Sequence, residues 1–232
     1  MSTNEPPPPP PPSGPPPTGY GAQPTASAPY SPGAAWKYGW EKFTANLGQV
    51  LIAVLVLVAL NVGLNFLGQI LSDALIVQWV FSVASWIISL IIGAGIVRFA
   101  LDITEGRELS TATVLTPVKL GDVIVVSVLT GIATFIGLIL CVLPGIAVAF
   151  FTSFSFYFLL DRPEMGAIDA IKASFRFTTQ NAGSVILWFL LSLATFIGGA
   201  LLCGVGLIVA IPVVLIGTAY TYKTLTGQPV AA

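Results

Sequence analysis

Between residues 47 and 222 the chain is almost continuously apolar, and its interruptions fall at intervals that match a lipid bilayer. A helix needs about 20 residues to cross a hydrocarbon core of roughly 30 Å. The first two stretches, 47–71 and 75–100, are separated only by Ser72, Asp73 and Ala74. After a polar segment at 102–122, apolar sequence runs on to residue 160, too long for one helix. Pro144-Gly145 divides it into 123–142 and 145–160, because proline ends a helix and glycine permits the turn. A second polar segment, 161–183, precedes a last stretch that divides near Gly204 and Gly206 into 184–203 and 206–222. The expectation is an all-α membrane protein with six transmembrane helices.

Charge placement tests that division independently. Of 232 residues only 8% are charged, against about a quarter in soluble domains. Nine Lys plus Arg face ten Asp plus Glu, which leaves no basic surface for nucleic acid. Lys37 and Lys42 precede the first span; Arg98, Arg107 and Lys119 lie between the second and third; Arg162, Lys172 and Arg176 lie between the fourth and fifth; Lys223 follows the sixth. All nine fall on one side, and cytoplasmic loops are enriched in these residues. Both termini are therefore expected in the cytoplasm, with the protein multi-pass in a bacterial cell (inner) membrane. A single kinked span through Pro144 would break the alternation.

Residues 1–35 are a different material. Thirteen of the 18 prolines lie in the first 32 residues, seven of them consecutive at 6–12. Such a segment buries too little apolar surface to offset the entropy of ordering it, so a disordered, polyproline-II-like cytoplasmic tail is expected. No signal-peptide pattern is present in it. The membrane domain is then 36–226, with 227–232 a short cytoplasmic C-terminus.

The apolar region repeats itself. LGQVLI at 47–52, LGDVIV at 120–125 and AGSVIL at 182–187 open the three pairs of spans, and ATFIG recurs at 133–137 and 194–198. The offset of 61 or 62 residues also matches Cys141 with Cys203, Pro144 with Gly206 and Asp161 with Lys223. Concordant matches at one offset point to three duplicated helical hairpins. Two hairpins are introduced by amphipathic segments with the stripes Trp36, Trp40, Phe43, Leu47 and Met165, Ile168, Ile171 or Lys172, Phe175. Such helices lie in the membrane interface and anchor the next span. Their further role would be to gather anionic lipid or a partner, with Trp36, Lys37, Trp40, Lys42, Lys172 and Arg176 as the lipid contacts.

Catalytic chemistry has little to work with. Without histidine, a Ser-His-Asp triad or an HExxH zinc site is excluded. No cofactor or metal site is expected, and no charge falls in the centre of any span, where ion-coupled transporters usually keep one. Asp102, Glu105 and Glu108 form the densest carboxylate group, read as part of a solvated polar loop. Cys141 and Cys203 are either small packing residues or an external disulfide. Asn61, Asn65 and Gln69 share a face of the first span, as Ser85, Ser89 and Gly93 do in the second. Such stripes either glue helices together or line a polar cavity.

The proline tail, the LPGI turn at 143–146 and AIDAIKASFRFTTQNAG at 167–183 together resemble the proline- and glycine-rich transmembrane proteins of actinobacteria. The chain is also similar to the membrane portion of some glycerophosphoryl diester phosphodiesterase-like proteins, whose catalytic residues sit in a separate soluble domain with no counterpart here. The resemblance implies a small inner-membrane protein and transfers no activity. The resulting expectation is a non-enzymatic scaffold or accessory subunit. Its tail would contact a cytoplasmic protein and its spans would meet membrane lipid and a membrane-complex partner. The alternative is a small-molecule or lipid transporter using a cavity near Asn61, Asn65 and Gln69.

Overall fold

The computed structural model describes residues 30–71, 75–107, 119–202 and 205–232. Regular structure among them is helical throughout: α1 (Pro32–Ala45), α2 (Leu47–Leu71), α3 (Leu75–Glu105), α4 (Leu120–Leu140), α5 (Val142–Thr152), α6 (Ser155–Asp161), α7 (Ala167–Gln180), α8 (Ala182–Leu201) and α9 (Leu207–Leu225). Five stretches are long and apolar enough to cross a membrane: Ile76–Glu105, Leu120–Leu140, Val142–Asp161, Ala182–Leu201 and Leu207–Leu225. The third joins α5 to α6. α2 is a further 25-residue helix without a charged residue. Ile76 and Leu201, both 79% exposed, and Leu143, 73% exposed, belong to an outward apolar surface that a water-soluble protein does not carry. The chain is a multi-pass helical membrane protein.

Four boundaries differ from the sequence expectation, each for a local reason. α1 starts at Pro32, within the stretch assigned to the tail, because Ser31 Oγ accepts from Ala34 N and proline fits the first helical turn without losing a bond. α3 continues past residue 100 to Glu105, so Asp102 and Glu105 stand on a helix rather than in a solvated loop. The second hairpin turns at Cys141, whose backbone is extended, and Pro144 sits in the first turn of α5 instead of making the break. Residues 228–232 fold back: Ala231 N donates to Thr104 O at 2.8 Å, and Tyr38 OH to Ala231 O at 3.1 Å.

Glycine decides how tightly the hairpins close. A Cβ on Gly137 would lie 2.8 Å from Gly145 Cα, and one on Gly206 would lie 2.7 Å from Gly199 Cα, so backbone meets backbone near the turn in both cases. The repeated opening strings behave alike as well: Val50, Val123 and Val185 are all buried in the same core. The junctions after α1 and α7 superpose in conformation. Asn46 has φ −115° and ψ 24°, Asn181 has φ −114° and ψ 27°, and each side-chain amide donates to a carbonyl four residues back, Lys42 O or Phe177 O.

The two amphipathic helices each use two faces. α1 turns Ala35, Gly39 and Phe43 inward and lies across α9. Gly39 is required there, because any side chain would run into the Val213 carbonyl. Tyr30 OH and Trp36 Nε1 donate to Thr221 and Thr195, and both threonines pass their own protons to carbonyls of their helices. Burial pushes the Tyr30 hydroxyl up to about 12 and Tyr38 higher still, so both remain donors in neutral solution. α7 turns Ala167, Ala170, Ser174, Phe177 and Thr178 inward. Ser174 Oγ accepts from Phe154 N at 3.1 Å and donates to Phe151 O at 2.8 Å, filling the backbone break between α5 and α6. Without water to satisfy a broken helix, such a hydroxyl replaces the missing bonds.

Candidate functional site

The ends of α3, α6 and α9 meet where the basic residues gather, and each delivers charge to one buried cluster. Lys223 of α9 is the centre. Its ammonium is 3% exposed and donates to Glu105 Oε1 at 2.6 Å, to Gln228 Oε1 at 2.6 Å and to Asp161 Oδ1. The other Asp161 oxygen accepts from Tyr222 OH at 2.7 Å and from Gln228 Nε2 at 2.9 Å. Three donors on one carboxylate and three acceptors on one ammonium satisfy both charges, the condition under which burial of an ion pair is tolerated.

A second pair of cations completes the cluster. Arg107 bridges Asp102 Oδ1 at 2.9 Å and Glu105 Oε2. Arg98, one turn before Asp102 on α3, approaches Asp102 Oδ1 at 3.4 Å and donates to Leu160 O at 3.0 Å. Asp102, Glu105 and Asp161 thus balance Arg98, Arg107 and Lys223. Tyr222 and Thr104, both fully buried, roof the cluster, and Phe158 and Phe177 pack edge-on around the Tyr222 and Phe154 rings. Chemically this arrangement holds helices together: every carboxylate is engaged by a cation, and no set of His, Cys, Asp or Glu among the described residues could hold a metal ion.

Sequence reasoning missed this cluster. Two signals were present: the Arg98 to Asp102 spacing of one helical turn, and Asp161 matched to Lys223 by the internal repeat. The second match proves to be a physical contact.

The residues singled out from sequence scatter more widely. Trp36 is half-buried against α8, whereas Trp40 is 43% exposed and stacks on Trp36 with ring centroids 5.9 Å apart. Lys37 pairs with Glu41 at 3.6 Å, and Lys42 donates to Ala232 O and lies over the Tyr38 ring. Lys172 and Arg176 are exposed on the outer face of α7. Asn61, Asn65 and Gln69 lie on α2, and their side chains fall outside the described residues. Cys141 is exposed at the hairpin break, and the disulfide considered with Cys203 falls outside the described residues, to which Cys203 does not belong.

Ser89 and Gly93 of the α3 stripe do line a cavity. It measures about 660 Å³ and opens sideways between α3, α4, α5 and α6, with hydroxyls from Ser127, Thr130, Thr134, Thr152 and Ser153 on an otherwise apolar wall. Ser127, Thr130 and Thr152 bond back to carbonyls four residues earlier on their own helices.

Comparison with known proteins adds the family. The chain is 35% identical to uncharacterized protein Rv2560 of Mycobacterium tuberculosis, over an alignment of 232 residues covering 88% of this chain and 71% of the relative. It belongs to the family of that protein. Uncharacterized protein Mb2590 of Mycobacterium bovis matches at the same identity and coverage. No family model matches the chain, and no solved structure matches it.

Proposed function

We propose that the protein is a non-enzymatic membrane scaffold or accessory subunit of a bacterial inner-membrane complex, with the proline-rich tail as its contact element. The observation that carries this reading is the root of the tail. Tyr30 bonds to Thr221, Ser31 caps α1, and α1 is pressed onto α9, so residues 1–29 leave from a fixed point on the bundle. Proline-rich sequence of the kind expected from residues 6–12 loses little entropy when it enters an aromatic-lined groove of a partner.

In this reading α2 is the sixth span, the three hairpins are duplicates, the basic end faces the cytoplasm with both termini, and the family is the proline- and glycine-rich transmembrane group. Neutral closure of the charge cluster supports a structural rather than catalytic role for its carboxylates. Deleting residues 2–29, which leaves Tyr30 and Ser31 in place, should abolish co-purification of a cytoplasmic partner from mild detergent while leaving thermal stability unchanged. An unchanged set of partners would overturn the role of the tail.

A second reading, a carrier of lipids or small molecules, is favoured by the hydroxyl-lined cavity and would also draw on Asn61, Asn65 and Gln69. Gly93 and Gly131 line that cavity with open space where a side chain would go. Gly93→Leu with Gly131→Leu should then block lipid movement in reconstituted vesicles, whereas the scaffold reading predicts unchanged partner binding.

A further inference from the structure

Seven of the nine cations in this chain are already engaged. Arg98, Arg107 and Lys223 are held by the Asp102, Glu105 and Asp161 carboxylates, Lys37 by Glu41, Lys42 by Ala232 O, Lys119 by Met165 O at 2.7 Å, and Arg162 lies over the Phe158 ring at 5.4 Å. Lys172 and Arg176 have no acceptor among the described residues. They stand one turn apart on α7, on the side opposite the inward Ala170 and Ser174. Ile168, 57% exposed, and Phe175, 53% exposed, share their stripe. A shallow groove of about 580 Å³ runs there, lined by Ile171, Lys172, Phe175, Arg176, Thr179 and Gln180.

Topology places this face at the junction of two apolar stretches. α7 joins the end of one apolar stretch at Asp161 to the start of the next at Ala182, and outward apolar surface resumes at Ile186 and Leu187, just over one turn into α8. The Phe175 ring packs on Phe151 at 4.7 Å, and Phe151 belongs to the apolar stretch Val142–Asp161. Two cations, the Thr179 hydroxyl and the Gln180 amide therefore line one groove beside the apolar Ile171 and Phe175, matching the charged phosphate and apolar chains that a phospholipid presents together.

We propose that the outward face of α7 binds the headgroup of an anionic phospholipid, with Lys172 and Arg176 holding the phosphate and Ile168 and Phe175 meeting the chains. Arg176 supplies a planar fork suited to phosphate, and Lys172 a movable point charge beside it. Ser174, directly between them in sequence, ties α7 to the α5–α6 break, so an occupied face bears on the same segment that leads to Asp161. This inference does not depend on the scaffold reading.

The test uses the full chain in nanodiscs of equal phosphatidylcholine and phosphatidylglycerol, with retained lipid read by native mass spectrometry. Wild type should retain phosphatidylglycerol preferentially, and K172Q/R176Q should lower the ratio of retained phosphatidylglycerol to phosphatidylcholine about tenfold, the scale of two cations at an anionic surface after salt screening. K172R/R176K keeps both charges and should keep the ratio. K37Q removes a charge already engaged and should also leave it unchanged. Added inorganic phosphate should not displace the lipid. Equal retention by K172Q/R176Q, an equal drop in K37Q, or loss of lipid to free phosphate would each overturn the proposal.

Discussion

The basic end of this protein treats charge in two opposite ways. At the meeting of α3, α6 and α9, Lys223 is withdrawn from solvent and saturated by Glu105, Asp161 and Gln228, and the cluster closes to neutrality. On α7, a short distance along the chain, Lys172 and Arg176 are exposed with no acceptor among the described residues, on a face shared with Ile168 and Phe175. Both sets lie at or between the ends of the apolar stretches. The difference teaches that basic residues at a membrane boundary divide into those that close the protein on itself and those left over for something outside it. Only the pairing distinguishes them.

Substitutions should separate the two sets in order of size. Lys223→Met leaves the Asp161 carboxylate, 8% exposed at its side chain, without its ammonium and should cost about 3–5 kcal/mol of stability, read as a lowered unfolding midpoint in detergent. Adding Asp161→Leu should recover part of that loss, and strict additivity of the two changes would show that the pair is not coupled. Gly39→Leu drives a side chain into the Val213 carbonyl and should cost about 1–3 kcal/mol, visible as protease access to α1. Ser174→Ala leaves Phe154 N and Phe151 O without their bridge and should cost about 1–3 kcal/mol, with faster amide exchange at residues 151–155. Lys172→Gln with Arg176→Gln should shift the midpoint by about 0.5 kcal/mol or less in neutral lipid, because exposed and unpaired side chains contribute little to the fold.

Membrane class and the five stretches from Ile76 onward that are long and apolar enough to span were legible because length and hydropathy act locally. The buried valines of the three opening strings, Val50, Val123 and Val185, likewise repeat in structure as they repeat in sequence. What escaped was non-local or short-range in a different way. The α3 carboxylates looked like a loop because charge ends an apolar run in sequence, whereas Arg98 and Asp102 carry the helix onward by pairing across one turn. Pro144 looked like the hinge, yet at the first turn of α5 it lacks only a donor that would have been unpaired anyway. The apolar stripes of α1 and α7 were visible, but the inward faces are built from Ala35, Gly39, Ala170 and Ser174, small residues that carry almost no hydrophobic signal. That Asp161 and Lys223 touch could not be read from spacing, since the contact is made by packing α6 against α9.

The division of the basic residues is tested most directly by one measurement, the unfolding midpoint in phosphatidylcholine nanodiscs against nanodiscs containing phosphatidylglycerol, because a ligand that binds only the folded state raises it. The account predicts a rise for wild type, the same rise from a much lower starting point for Lys223→Met, and no rise from an unchanged starting point for Lys172→Gln with Arg176→Gln. A rise that survives the α7 double substitution, or one that disappears with Lys223→Met alone, would contradict it.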